Sequence, residues 1–233
     1  MSATRNREAA VAQATAPVMT ETPALQAVVW VRDIRYEAIS RMVDILGSMV
    51  GLVLTFPIML LVALAVKLTS RGPVLFRQMR VGLHGTLFPC FKFRTMVANA
   101  DEVLESNPAL KDEFLKQHKL EEDPRVTVVG QFLRKASLDE LPQFVNVLLG
   151  HMSLVGPRPI VPAELLKYGA YANMLVMVKP GLTGLWQVSG RSRTTYEERV
   201  QLDMSYIRTR SLSLDLSLIF RTMIAVALRK GAC

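Results

Sequence analysis

The stretch ILGSMVGLVLTFPIMLLVALAV, residues 45–66, carries no charge and is bounded by Asp44 and Lys67. Its length is about that of a bilayer-crossing helix, which takes ~20 residues. Two features complicate a simple crossing. Pro57 sits near the centre, where its missing amide removes a backbone hydrogen bond and bends a helix. Basic residues flank both ends: Arg32, Arg35 and Arg41 before, Lys67, Arg71, Arg77 and Arg80 after. A spanning helix is expected to have one basic flank. Equal flanks suit a helix that dips in, bends at Pro57 and returns to the face it left. An ordinary span with a tolerated proline is the other reading, and these letters leave both open.

Around this run the chain of 233 residues has a net charge of +8, and half its residues are hydrophobic. That charge calls for an anionic partner, and the apolar content favours a membrane surface over DNA. No recognition helix or aromatic RNA-binding motif is present, so no nucleic-acid partner is expected. Cys90 and Cys233 form neither a disulfide framework nor a CxxC pair, and His84, His118 and His151 are too scattered for a metal motif. Residues 1–30, rich in Ala, Thr and Pro and without the apolar core of a signal peptide, read as a disordered tail. Residues 31–72 then form the membrane helix and 73–233 a globular domain. In that domain the pattern predicts strands at Val74–Phe76 and Leu87–Phe93 around a Gly82–Gly85 turn, and a polar helix or helix pair over Asn99–Leu120, broken near Pro108. A helix from Leu141 stopped by Gly150, another over Ala163–Val178, a Gly-rich loop over Pro180–Arg191 and an amphipathic helix over Leu212–Leu228 follow.

Four segments carry candidate chemistry. In Leu133–Gln143, LRKASLDELPQ, Ser137 and Glu140 have capping-box spacing. Pro142 argues for a different start, because with Asp139 as the N-cap the proline falls in the first turn, where no donor is needed. Asp139 and Glu140 are then expected at a helix mouth, which attracts phosphate. Two adjacent carboxylates also suit Mg²⁺, which takes one or two carboxylates plus phosphate oxygens. A carboxylate is itself a competent nucleophile at phosphorus. In Lys92-Phe-Arg-Thr-Met96, Lys92 and Arg94 straddle an aromatic residue and could neutralise a diphosphate, or simply be solvated at a strand end. Pro157 and Pro159 hold Arg158 rigidly, which suits phosphate or uracil recognition, or simply makes a rigid turn with a surface arginine. The Pro180–Arg191 loop allows close backbone approach, offers Trp186 for stacking or anchoring, and is not a P-loop.

Taken in order after a proline-broken apolar stretch, KFRTM (92–96), LRKASLDELPQ (133–143), LVGPRP (154–159) and PGLTGLWQVSGRS (180–192) closely resemble the bacterial sugar transferase family. These are the monotopic phosphoglycosyl transferases that begin exopolysaccharide and O-antigen synthesis, and the resemblance runs from about Tyr36 to about Leu228. It implies an α+β, mainly helical fold with a re-entrant helix-break-helix at Pro57 and interfacial helices. The catalytic domain is expected on the cytoplasmic face of the bacterial inner membrane. It implies a two-step transfer of sugar 1-phosphate from a UDP-sugar to undecaprenyl phosphate, with Mg²⁺ as cofactor. Asp139 matches the nucleophile and Glu140 its Mg²⁺-binding partner, so both are expected to touch the metal. Lys92, Arg94, Arg134, Arg158, Gln187 and Arg191 are the expected substrate-binding residues, joined by the further carboxylate Asp203. The loop wording resembles relatives that use galactose or glucose. The lipid bilayer is an expected partner, a homodimer is left open, and a non-catalytic membrane scaffold of the same fold is the alternative.

The sequence departs from the family pattern in three places. Thr55-Phe56 precedes Pro57 where a serine is usual, Arg210 and Ser213 stand where tryptophans are common, and no upstream spanning helices are present, as expected of a short form.

Overall fold

A computed structural model describes residues 34–108, 110–112, 120, 123–190 and 194–227. The expected tail, 1–30, lies outside them. The described chain is mainly helical, with two small two-stranded sheets.

The apolar run belongs to one helix, α1, Ile34–Thr69, which is long and apolar enough to cross a membrane. Pro57 lies inside it, so the expected break is not an interruption of the helix. The Thr55 hydroxyl does not reach the carbonyl that Pro57 frees; it donates to Gly51 O at 2.7 Å. Leu46, Val50, Val53, Leu54, Leu61 and Leu64 expose their side chains. The other side of α1 is attached to the globular body along its length. Tyr36 donates to Asp215 at 2.8 Å. The Arg41 guanidinium donates to Val147 O and Leu148 O. Asp44 is buried and accepts from Ser153 Oγ and Leu154 N. Gly47 and Gly51, one turn apart, let the helix approach closely: a Cβ there would stand 2.6 Å from Leu154 Cδ1 and 2.7 Å from the Phe144 ring. Further on, Val62 and Val66 pack with Phe93 and Leu133. Just past the end, Arg94 donates to Ser70 O and Oγ, both at 2.8 Å.

Strands β1 (Leu75–Val81) and β2 (Leu87–Phe93) form an antiparallel hairpin in the register Leu75↔Phe93 to Val81↔Leu87. β1 is longer than the apolar trio that announced it. Its outer face carries Arg77 and Met79, while Val81 turns into the core. The turn between the strands contains His84 and Gly85, both with positive φ. Of the expected polar helix or helix pair, α2 covers Ala100–Glu105, helical residues resume at 108 and 110–112 beyond a break at 106–107, and 109 and 113–119 lie outside the described residues. Next come α3 (Val128–Lys135), a 3₁₀ turn (Leu138–Glu140) and α4 (Gln143–Leu148), with Gly150 in the left-handed region just beyond.

Two expectations for the second half are corrected. Ala163–Val178 is not one α-helix. A 3₁₀ stretch over Pro162–Tyr171 breaks at Gly169 (φ 52°), and only α5, Ala172–Leu175, is α-helical. Pro180–Arg191 is not merely a loop. Gly181–Thr183 forms β4, parallel to β3 (Ser153–Val155), and Leu185–Ser189 forms α6. The β3–β4 pairing depends on Gly181, where a Cβ would lie 2.1 Å from Gly156 N. A lone three-residue strand carries little periodicity, so sequence alone missed it. Helices α7 (Tyr196–Thr209, opened by a Thr195–Glu198 capping box) and α8 (Leu212–Ala227) close the fold. The core gathers Val147, Met152, Ile160, Tyr168, Met204, Ile207 and Leu218. Each such side chain removed from water stabilises by ~1.5–3 kcal/mol before entropy is counted.

Candidate active site

The site is built on the 3₁₀ turn between α3 and α4. Ser137 enters it in the left-handed region, φ 56° and ψ 21°, which costs a non-glycine residue ~1–2 kcal/mol. Neither expected cap forms. The Ser137 side chain makes no capping bond, and α4 starts at Gln143, after Pro142, with no side-chain cap. Asp139 and Glu140 therefore sit one turn ahead of a helix too short to offer much dipole. Side chains from three other elements supply the positive charge.

Lys92, on β2, places Nζ 2.7 Å from Glu140 Oε1, and Arg158, in the loop after β3, places Nη2 3.1 Å from the same oxygen. Burial alone would push Glu140 up, but the charges of Lys92 and Arg158 outweigh it and hold the carboxyl far below its ordinary range. Asp139 is in the opposite state. It is buried, and among the described residues no hydrogen bond or ion pair reaches it. Burial first, and the Glu140 charge second, push it up to about 6, against the pull of Lys92, Arg134 and Arg158. Arg134, at the end of α3, is steadied by an Nε bond to Thr95 Oγ1 at 2.9 Å. Such a carboxylate is ionised at neutral pH yet poorly solvated, with cations near enough to take a phosphate.

The turn and its surroundings thus bring together Asp139, Glu140, Lys92, Arg134 and Arg158. Arg94 is not brought to them: its bonds go to Ser70, so it ties the end of α1 to β2. Asp203, on α7, is buried behind the site, accepts from Tyr168 Oη at 2.7 Å, and is pushed up to about 6, chiefly by burial. Gln187 is buried on α6 against Gly184. Arg191 lies outside the described residues. Two arginines were missed. Arg80, on β1, donates to Pro159 O and so supports the loop that carries Arg158. Arg199, on α7, lies over the Trp186 and Tyr196 rings. Arg80 was read only as a flanking charge, and Arg199 sits in the polar run Glu197-Glu-Arg-Val200, which looks like any solvated helix face.

Among the described residues no three His, Cys, Asp or Glu side chains gather into a metal cage. Asp139 and Glu140 still fit a Mg²⁺ ion, which prefers one or two carboxylates and leaves its other positions to phosphate and water. Burial first and the Glu140 charge second raise the Asp139 pKa, and a cation between the two carboxylates would offset their mutual repulsion.

Residues 35–229 match the family model for bacterial sugar transferases. The chain is 46% identical over 196 residues to the exopolysaccharide production protein ExoY of Sinorhizobium fredii, covering 82% of this chain and 87% of that one. It is 47% identical over 199 residues to the undecaprenyl-phosphate galactose phosphotransferase of Salmonella typhimurium, covering 83% of this chain but 41% of the relative. It is 42% identical over 202 residues to the UDP-glucose:undecaprenyl-phosphate glucose-1-phosphate transferase of Escherichia coli, again covering 83% of this chain and 41% of the relative. The chain thus spans most of ExoY and less than half of the two transferases named for their substrates. With the ordered motifs and the turn they build, these matches place the chain in the bacterial sugar transferase family.

Proposed function

We propose that this protein transfers a hexose 1-phosphate, galactose or glucose, from a UDP-sugar to undecaprenyl phosphate and releases UMP, as the first membrane step of exopolysaccharide or O-antigen synthesis. The observation that carries the reading is the bare, buried Asp139 beside an ion-paired Glu140, in a chain with relatives named for these substrates.

That geometry supports a transfer in two steps. The Asp139 carboxylate attacks the sugar-proximal phosphorus of the diphosphate. A carboxylate–phosphorus bond forms, the bond to the UMP oxygen breaks, and UMP leaves with the electron pair. An oxygen of undecaprenyl phosphate then attacks the same phosphorus and Asp139 is expelled as a free carboxylate. Splitting the transfer in two lets one small site serve a water-soluble donor and a lipid acceptor in turn. Lys92, Arg134 and Arg158 spread the negative charge that builds on the phosphate oxygens. A Mg²⁺ ion held by Asp139 and Glu140 would add Lewis-acid neutralisation of the diphosphate.

The membrane placement is supported by how α1 is tied. Asp44 and Ser70 are about 39 Å apart along a helix rising 1.5 Å per residue, more than the ~30 Å of hydrocarbon. Residues at both points bond the same globular body. A crossing would put that body on both faces at once. In our reading α1 lies along one side of the domain, turns its apolar face to lipid and returns to the cytoplasmic face. Cysteine labelling of Arg35→Cys and Leu75→Cys is expected to mark both from the cytoplasm, and labelling from opposite faces would overturn the re-entrant reading.

The reaction is tested by UMP release from a panel of UDP-sugars with Mg²⁺, detergent and undecaprenyl phosphate. Lipid-dependent release with one or two sugars, lost in Asp139→Asn, is the expected result. No release with any sugar from folded protein would return the chain to the scaffold reading.

A further inference from the structure

The family pattern marks Asp203 as an active-site carboxylate, but only 1% of its side chain is exposed, too little to meet a substrate. Its surroundings point elsewhere. Oδ2 accepts from Tyr168 and faces Arg199 Nε at 3.8 Å, while Glu164 faces Arg199 Nη1 at 3.6 Å. Held between two carboxylates, Arg199 is nine-tenths buried, and among the described residues its Nε and Nη2 meet no hydrogen-bond acceptor. They meet rings instead: the guanidinium carbon lies 4.9 Å from the Trp186 centroid and 5.2 Å from that of Tyr196. Trp186 carries a second guanidinium, Arg158, at 5.6 Å, and its Nε1 donates to Thr194 Oγ1. Arg158 in turn donates to Glu140.

We propose that Asp203, Arg199 and Trp186 are positioning residues that act on the reaction through Arg158. The carboxylates hold Arg199, Arg199 and Thr194 fix the plane of the indole, and the indole selects the rotamer in which Arg158 meets Glu140. An arginine side chain has many rotamers, and a contact with a half-buried ring face favours one of them. Arg158 rests on Pro159, whose carbonyl Arg80 holds from the hairpin side, so its loop and its head are fixed independently. The proposal rests on the transfer reading only for what Arg158 finally binds, a substrate phosphate.

The test is a double-mutant cycle on kcat/KM. Trp186→Leu is expected to lower it roughly 30-fold, and Trp186→Phe, which keeps a ring face, to recover it to within about 3-fold. In an Arg158→Lys background, which retains a charge but not the planar fork, Trp186→Leu is expected to cost little more. Fully additive losses would mean that Trp186 only supports the fold, and would overturn the relay. A second readout needs no turnover. The chain has two tryptophans, Trp30 and Trp186, so Trp30→Phe leaves Trp186 as the reporter. Arg158→Gln and Arg199→Gln are each expected to shift its emission, with a combined change that is not their sum. Unchanged emission in either single variant would overturn the stack. Wild-type protein that releases no UMP would overturn the transfer reading, while emission still decides the stack.

Discussion

Asp44 and Asp139 are both nearly buried, at 3% and 8% exposure, and their surroundings are opposite. At the root of α1, Asp44 accepts from Ser153 Oγ at 2.9 Å and Leu154 N at 2.7 Å. Asp215 nearby accepts from Tyr36 at 2.8 Å and Tyr206 at 2.9 Å. At the catalytic turn Asp139 receives no such bond among the described residues, and its neighbour Glu140 takes the two cations. A carboxylate whose lone pairs are filled joins elements together; one left bare among cations is held ready to react. The region that fixes the helix and the candidate catalytic turn use the same residue type, and differ in what was left unsatisfied.

The sharpest way to break this contrast is Asp139→Asn, which keeps the shape and removes the proposed nucleophile. UMP release is expected to fall by at least ~10³-fold, with the fold intact by circular dichroism. A rate within tenfold of wild type would remove the covalent step. Glu140→Gln comes next, with a loss of about 10²-fold and a weaker response to Mg²⁺, read by titrating the metal. Asp44→Ala should do the reverse. It strips the buried Leu154 amide of its acceptor and lowers stability by about 3 kcal/mol, seen as an earlier denaturant midpoint. Activity per folded molecule should be nearly unchanged; if it vanishes, the two regions are not separable. The smallest effect is in the pH profile. Below about 6 Asp139 protonates, so kcat/KM should fall about tenfold per pH unit, and added Mg²⁺ should move that limb lower by favouring the ionised carboxyl. Stability should respond in opposite senses at the two carboxyls. With its pKa raised, Asp139 penalises the fold above about 6, and the penalty eases as pH falls toward 3.8. With its pKa depressed, Glu140 stabilises fully above its ordinary value, and loses that contribution only well below it.

The gathering of charged groups at the candidate turn was readable because they stand in adjacent letters or short motifs. Asp139 and Glu140 are neighbours, and Lys92 and Arg158 belong to short motifs of charged and rigid residues. The details that depend on three dimensions were not readable. Arg94 sits two residues from Lys92 and looks equivalent, but the end of α1 captures it at Ser70. The Ser137–Glu140 spacing is that of a capping box, yet ion pairing of Glu140 with Lys92 and Arg158 competes with the cap and wins. Gly181 looked like part of a Gly-rich loop, although its missing side chain is what lets β4 lie against Gly156. The long apolar run and the closing helix were visible because a continuous pattern over many residues leaves little choice. How α1 attaches at its root was not, since the partners of Arg41 and Asp44 come from residues more than a hundred positions away.

That separation also bears on the order in which the molecule can assemble. Arg41 closes the carbonyls of Val147 and Leu148, across 106 and 107 positions of chain, so the last turn of α4 is finished by a side chain made long before it. A six-residue helix does not persist on its own in water. During synthesis α1 emerges first and must wait, its polar hooks unused, until the segment around Leu148 arrives. Contacts this distant in sequence form slowly. A version trimmed of everything before Gly72 to make it soluble would therefore lose more than its anchor: the helix that follows the catalytic turn would fray at its far end.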